Sequence, residues 1–296
     1  MKVLVSGGSG YVGGFIVEST VAEGHTVVNA GRTAHEPNAF SAPVDFRAMT
    51  LDPDRDQSAL FDGVDIFVHG AFQHVAGRYR GGEGADPEGF RQANLDGTVR
   101  LFREARAKGV KRILFLSSRA VYGTQDPGTA LTETTPCNPD TLYGTVKLQA
   151  EAALQAMCAD GFKGISLRVT GVYGQRQPGS PHKWETLIFD YLAGKAVAAR
   201  VGTEVHGMDV GQAVAIVMRL AQPEPVYNVS DVLVDTRDIL AEVNRLTGCI
   251  HPLPDTGDKQ AYNPMDTSSL AATGWTPGGE NLLWKAIRDM IASPNG

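Results

Sequence analysis

The sequence predicts an α/β protein built on a doubly wound parallel sheet, with a smaller C-terminal α/β part. Three observations predict it. Short apolar runs alternate with longer stretches of helical period across the first half of the chain. The first run passes directly into a glycine-rich turn. Beyond Arg168 the alternation gives way to loops, single helices and isolated strands. Parallel strands cannot be joined by a tight turn, so β-type runs separated by crossover helices imply a sheet covered on both faces.

The strand-like runs lie at 3–5, 26–29, 44–46, 66–69 and 113–116, with a sixth at 165–168. Helical segments at 14–23, 58–61, 90–108 and 143–160 fall between most of them. Residues 171–181, interrupted by glycine and proline, are expected to be loop. A helix over 184–194 ends at Gly194, helices follow at 210–221 and 236–246 with Gly248 as C-cap, and a last one covers 282–291. Residues 226–229 form a short strand. The division expected is a dinucleotide-binding domain at 1–168 and a substrate-binding part at 169–296, partly interwoven and packed over the carboxyl edge of the sheet. No repeat, low-complexity tract or long linker interrupts the 296 residues.

Composition excludes several classes of function. The net charge of −6 offers no field for nucleic acid or an anionic membrane. The only dense basic stretch, Arg78-Tyr79-Arg80, is too short to follow a phosphate backbone. No apolar run reaches the roughly 18 residues of a membrane span, and no leader precedes the first strand, so a cytoplasmic protein is expected. Cys137, Cys158 and Cys249 are odd in number and widely spaced, as reduced thiols are, and the scattered histidines give no metal-ligand spacing.

The glycine-rich turn is where a dinucleotide pyrophosphate would sit. Gly7, Gly10 and Gly13 allow, in turn, a tight bend, close approach of backbone to phosphate, and close packing of helix on strand. The helix N-terminus supplies amide donors and partial positive charge, with Tyr11 and Val12 completing the cofactor-facing loop. At the end of the second strand an NAD site usually presents a carboxylate to the ribose hydroxyls. Here Gly31 and Arg32 stand instead, which favours NADP by pairing arginine with a 2′-phosphate, with NAD still possible. Asp52, past the third strand, either hydrogen-bonds the adenine amine or starts the next helix.

Tyr143 and Lys147 are four residues apart and share one face of a helix. A tyrosine of pKa about 10 is a poor base at neutral pH, but a neighbouring ammonium favours its phenolate. Lys147 supplies that charge and has donors left for the nicotinamide ribose. Ser118 ends the run 113–118, where a doubly wound sheet presents residues to its ligand, and its hydroxyl can hold a substrate oxygen while Tyr143 exchanges the proton.

Together these motifs resemble the extended short-chain dehydrogenase/reductase family, also called the NAD-dependent epimerase/dehydratase family, on a Rossmann fold. The resemblance spans nearly the whole chain: the glycine loop, Val68-His69-Gly70-Ala71, Asn94-Leu95-Asp96-Gly97-Thr98, Ser117-Ser118-Arg119-Ala120-Val121-Tyr122-Gly123, Tyr143-Gly144-Thr145-Val146-Lys147, Leu167-Arg168, Val172-Tyr173-Gly174, Tyr227-Asn228-Val229 and Gly274-Trp275. It implies Ser118, Tyr143 and Lys147 as the catalytic set, Ala71 against the cofactor and Asn94 ordering the site. It also implies a homodimer through helices 90–108 and 143–160, although Leu101, Phe102, Ala105, Ala152, Ala153 and Met157 suit an ordinary core equally well.

Departures from the family pattern narrow the reaction. Where its dehydratases resemble S-T-D-E-V-Y-G, this chain has Arg119 and Ala120, so no carboxylate pair is present for elimination. Gly171 replaces the substrate-binding asparagine of the RxxNxYG pattern, and the QxRDF arginine has no counterpart in the shortened 202–209 segment. The expected function is hydride transfer between NAD(P) and a carbinol or carbonyl carbon of a small sugar-like or hydroxy substrate. A sugar-nucleotide 4-epimerase with retained NAD is the second reading, and a non-catalytic NADP-binding sensor or scaffold the third. The segment 73–88 is either a lid over an anionic substrate or a surface loop.

Overall fold

The structure, a computed structural model, describes residues 1–75, 82–177 and 179–292. Among these, seven parallel strands form the main sheet. They are β1 (Lys2–Ser6), β2 (Thr26–Gly31), β3 (Asp45–Ala48), β4 (Ile66–His69), β5 (Arg112–Ser118), β6 (Lys163–Val169) and β9 (Val226–Val229). Their order is β3-β2-β1-β4-β5-β6-β9, the doubly wound arrangement in which strand order reverses between β1 and β4.

Each apolar run is continuous because both faces are buried. Val3 and Val5 enter one core with Ile16, Val17, Leu114 and Leu116, while Leu4, Ile113 and Phe115 enter the other with Leu101, Phe102 and Leu154. This is the two-residue period of a strand expressed on two dry faces. The first face is covered by α1 (Tyr11–Ala22) and by α6 (Gly207–Arg219), which pack on each other. The second is covered by α2 (Pro87–Arg91), α3 (Thr98–Ala107) and α4 (Leu142–Gln155). Between α2 and α3 the helix widens into a π-helical turn, Gln92–Gly97.

Beyond β6 the structure departs from expectation. Residues 171–181 are not all loop, because β7 (Gly171–Tyr173) pairs with β8 (Val201–His206), and β8 pairs with β10 (Val232–Asp235) in a second, three-stranded sheet. Glycine concealed β7, since a strand of three residues gains its identity from its partner and not from propensity. Helices α5 (Glu185–Leu192), α7 (Thr236–Thr247) and α9 (Gly279–Ala292) pack on this sheet around Tyr173, Trp184, Leu240 and Ile287, and the short α8 (Ser268–Ala271) lies against β9. Gly248 closes α7 in the left-handed region at φ 72°. Strand β9 and helix α6 come from the C-terminal half yet complete the main sheet and its first face.

The remaining adjustments are at element ends. The segment expected to be helical at 58–61 is a 3₁₀ turn, and α4 stops at Gln155 instead of reaching 160. Of the six positions weighed for a subunit interface, Leu101, Phe102 and Ala105 are fully buried within one chain, so they are core. All three cysteines are free. No helix among the described residues is long and apolar enough to cross a membrane.

One buried carboxyl yields a stability prediction. Asp209, in the first turn of α6, is 7% exposed, and its Oδ2 accepts from the Gly278 amide at 3.1 Å. Burial, opposed by that amide and reinforced by Asp231, pushes its pKa up to about 6. A raised folded-state value favours folding below pH 3.8, and this contribution is lost as pH rises through 6. Asp209→Asn keeps an acceptor without the charge and should gain about 1–3 kcal/mol over the wild type at pH 7.5. Urea denaturation at pH 7.5 and pH 4 should show that gain and its disappearance.

Candidate active site

The carboxyl ends of β1, β2, β4 and β5 bring the singled-out residues to one edge of the sheet. Gly7 holds φ at 75°, and a Cβ there would stand 2.9 Å from the Cα and N of Ala71. A Cβ on Gly13 would collide with the Gly7 carbonyl oxygen. Gly10 N-caps α1 without any side-chain cap, which leaves the first amides of a 12-residue helix to face an anion. Tyr11 turns its hydroxyl to the Gly174 carbonyl at 2.6 Å and ties the helix start to the C-terminal half, while Val12 packs against the first core.

At the neighbouring strand ends, no atom of the described residues beyond its two chain neighbours lies within 4 Å of where a Gly31 Cβ would stand, and Arg32 next to it is exposed. Asp52 is exposed, and its Oδ1 accepts from the Asp54 amide at 3.0 Å in a turn; the helical element that follows begins only at Ser58, so Asp52 does not start it. The close glycine cradle, uncapped helix start and open strand end fit a nicotinamide dinucleotide.

Asn94 lies in the π-helical turn and is 1% exposed. Its Oδ1 accepts from the Gln73 amide at 2.7 Å, and its Nδ2 donates to the carbonyls of Gln73 at 2.7 Å and Phe90 at 2.9 Å. With every polar atom engaged on protein, Asn94 fixes the backbone that follows Ala71. Gly97, in the same turn, packs so closely that a Cβ there would strike the Leu51 carbonyl. Residues 76–81, including Arg78, Tyr79 and Arg80, lie outside the described set, so the segment weighed as a lid or a surface loop is described only at its two ends, joined from the Val75 amide to the Gly82 carbonyl at 2.8 Å.

Ser118 is the last residue of β5, and Tyr143 and Lys147 lie in the first two turns of α4, from which Lys147 reaches the end of that strand. Thr141 N-caps α4 by accepting from the Gly144 amide at 3.1 Å, which sets the helical phase of the pair. Gly144 lies so close to the Ala120 carbonyl that a side chain would not fit. Lys147 is 4% exposed, and its ammonium sits 4.6 Å from the ring centres of both Phe72 and Phe115 and 6.0 Å from that of Tyr143. It donates to the Leu116 carbonyl at 2.6 Å, two residues before Ser118. Burial lowers its pKa to about 7, against the opposing charge of Glu151. Ser118 accepts from the Ala120 amide at 3.2 Å and caps the 3₁₀ turn Arg119–Tyr122. Tyr143, half-buried, packs edge-on against Phe72 with centroids 5.1 Å apart.

Two buried networks behind this edge escaped sequence reasoning. In the first, His69 joins Ser6 Oγ at 2.7 Å to Thr98 Oγ1 at 3.0 Å, and Ser6 Oγ also accepts from Ala71 N at 3.3 Å. Burial, with the Lys147 charge, drives the histidine pKa down to about 3, so the ring is a neutral tie between β1, β4 and α3. In the second, Glu151, one turn beyond Lys147, accepts from Ser117 Oγ and from Arg168, whose Nη2 approaches to 2.8 Å. Arg168 and Glu151 are 6% and 5% exposed at their side chains. The Arg168 guanidinium covers the Tyr122 ring at 4.8 Å, and Tyr122 donates to Asn228 Oδ1 at 2.6 Å. The matching sequence signal was Ser117-Ser118: neighbours on a strand face opposite ways, so one serine had to turn inward.

A dinucleotide cradle at the strand-order reversal, with serine, tyrosine and lysine at the adjoining strand end, defines the class: an NAD(P)-dependent enzyme of the extended short-chain dehydrogenase type. It moves hydride between nicotinamide and a carbinol or carbonyl carbon. The chain belongs to the NAD dependent epimerase/dehydratase family, which matches it over residues 3–230. A dTDP-6-deoxy-L-talose 4-dehydrogenase (NAD(P)(+)) of Kitasatospora kifunensis is 27% identical, with 98% of this chain and 94% of that protein covered. A UDP-glucose 4-epimerase of Corynebacterium glutamicum is 28% identical over 95% of this chain and 92% of the relative. The structure of the UDP-glucose 4-epimerase of Thermus thermophilus in complex with NAD superimposes with a TM-score of 0.79 at 26% identity, covering 99% of this chain and 98% of that one.

Proposed function

We propose that the enzyme is a cytoplasmic, NADP-preferring oxidoreductase, active as a homodimer, that acts on a compact hydroxylated substrate. Tyr143 exchanges the substrate hydroxyl proton, Ser118 holds the same oxygen by a hydrogen bond, and Lys147 supports the phenolate and donates to the cofactor ribose. When bound, the nicotinamide supplies the hydride acceptor or donor. Gly7, Gly10, Tyr11, Val12 and Gly13 cradle the pyrophosphate, Arg32 takes the 2′-phosphate, Asp52 approaches the adenine, and Ala71 borders the cofactor. Asn94 acts on that border as a positioning residue, through the backbone of Gln73. The assignment is carried by Lys147: an ammonium enclosed by Phe72, Phe115 and Tyr143 and anchored on the carbonyl two residues before Ser118.

A 4-epimerase is the second reading, favoured by the relatives that carry that name. The two differ in what the purified protein holds. A dehydrogenase depends on added cofactor and an epimerase retains it, so absorbance after purification and turnover with and without added NADPH separate them. Arg32→Ala should raise the KM for NADPH at least tenfold and leave that for NADH within about threefold, the loss expected for a charge-assisted phosphate contact. Equal effects on both cofactors would remove Arg32 from 2′-phosphate recognition.

A further inference from the structure

Gly171 is more than a deletion of a side chain, because its volume is occupied. A Cβ there would stand 2.8 Å from Glu204 Cδ and closer still to Lys183 Nζ. Glu204 lies directly opposite Gly171 in the β7–β8 register, and both of its carboxylate oxygens accept from Lys183 Nζ. The side chain of Glu204 is 4% exposed and that of Lys183 22%, so the carboxylate is sealed while the lysine side chain keeps some contact with solvent. Burial lowers the lysine pKa, with Glu204 opposing and Arg200 adding to the shift.

This pair stands beside the reacting strand end. Val169 pairs with Ser118 in the main sheet, and Gly171 follows two residues later, about 7 Å of extended chain. Thr170 Oγ1 donates to the Thr203 carbonyl at 2.7 Å, and Thr203 Oγ1 lies 3.4 Å from the Tyr262 hydroxyl. The Tyr262 ring lies 4.7 Å from the guanidinium carbon of Arg119, the residue after Ser118. These contacts tie the residue after Ser118 to Thr203, the β8 neighbour of Glu204, and bring Arg119 and Lys183 to the same strand. Two oxygens of Glu204 use two of the three donors of an ammonium, and a third remains.

We propose that Lys183, held by Glu204 in the volume left open by Gly171, binds an anionic oxygen of the substrate and sets its specificity. This rests on the reading that Ser118 marks the reacting centre. A carboxylate on a sugar acid and a phosphate on a nucleotide sugar both supply such an oxygen.

The test is thermal shift of the full chain loaded with NADPH, titrated with D-galacturonate or with UDP-glucose. At least one probe should stabilise the wild type saturably. Lys183→Met/Glu204→Gln, which removes both charges together, should need at least tenfold more of that probe, while Lys183→Arg stays within threefold. Gly171→Ala, whose methyl displaces Nζ, should reproduce the tenfold loss and serves as the check if the double variant folds poorly. Stabilisation by galacturonate alone assigns the carboxylate, and by UDP-glucose alone the phosphate. The proposal is overturned if neither probe stabilises the wild type, or if the folded variants bind as the wild type does. Binding is read without turnover, so an error in the role of Tyr143 would leave this result intact.

Discussion

Tyr143→Phe should lower kcat at least a hundredfold while the Kd for NADPH stays within about threefold of the wild type, the signature of a lost proton-transfer group. The substitution removes one oxygen from a half-buried ring that packs edge-on against Phe72, so the aromatic contact survives. The Lys147 ammonium also stays in place, because its hydrogen bond is to the Leu116 carbonyl and its enclosing rings are Phe72 and Phe115. Fluorescence titration of NADPH and single-turnover kinetics separate the two quantities. A variant that turns over at the wild-type rate would show that the proton passes elsewhere.

The second large effect lies at Glu151, buried with Ser117 and Arg168. Glu151→Ala leaves Arg168 buried with the Glu133 carbonyl and the Tyr122 ring as partners, a loss of about 3–5 kcal/mol, because the guanidinium keeps its desolvation cost and loses its compensating charge. The arginine cannot escape by deprotonation: the bonds to Glu151 that raise its pKa in the wild type are lost, but a guanidinium stays charged at neutral pH even when buried. Replacing both partners, as Glu151→Leu/Arg168→Met, should be far less costly than the single change. Urea denaturation of the three proteins measures this difference. Activity should respond too. Glu151 opposes the burial that lowers Lys147 to about 7. Without it the lysine loses its proton at lower pH, and the ammonium that supports the phenolate is depleted at neutral pH. Glu151 is thus a positioning residue whose removal should shift the pH profile as well as the stability.

The features legible in the sequence were those with a local cause. Val3-Leu4-Val5 and Ile113 to Leu116 announced buried parallel strands because successive side chains alternate between two dry faces. The glycine loop announced the cradle because its tight bend places glycine where a Cβ would collide. Tyr143 and Lys147 shared a face because four residues make about one helical turn. The Lys147 environment was not legible, since Phe72 and Phe115 arrive from other elements. His69 stood in a recognisable strand end, yet nothing nearby in sequence announced its bridge from Ser6 to Thr98.

By itself the sequence determined the doubly wound sheet, the dinucleotide edge and the helical phase of the candidate pair, all consequences of spacing within a few residues. Tertiary structure alone decided the three-stranded second sheet, the Glu151–Arg168 tie and the filling of the Gly171 volume by Lys183 and Glu204. Those depend on strand register and close approach between segments tens of residues apart. Side-chain volume and charge acquire their meaning there only after the backbone has brought them together.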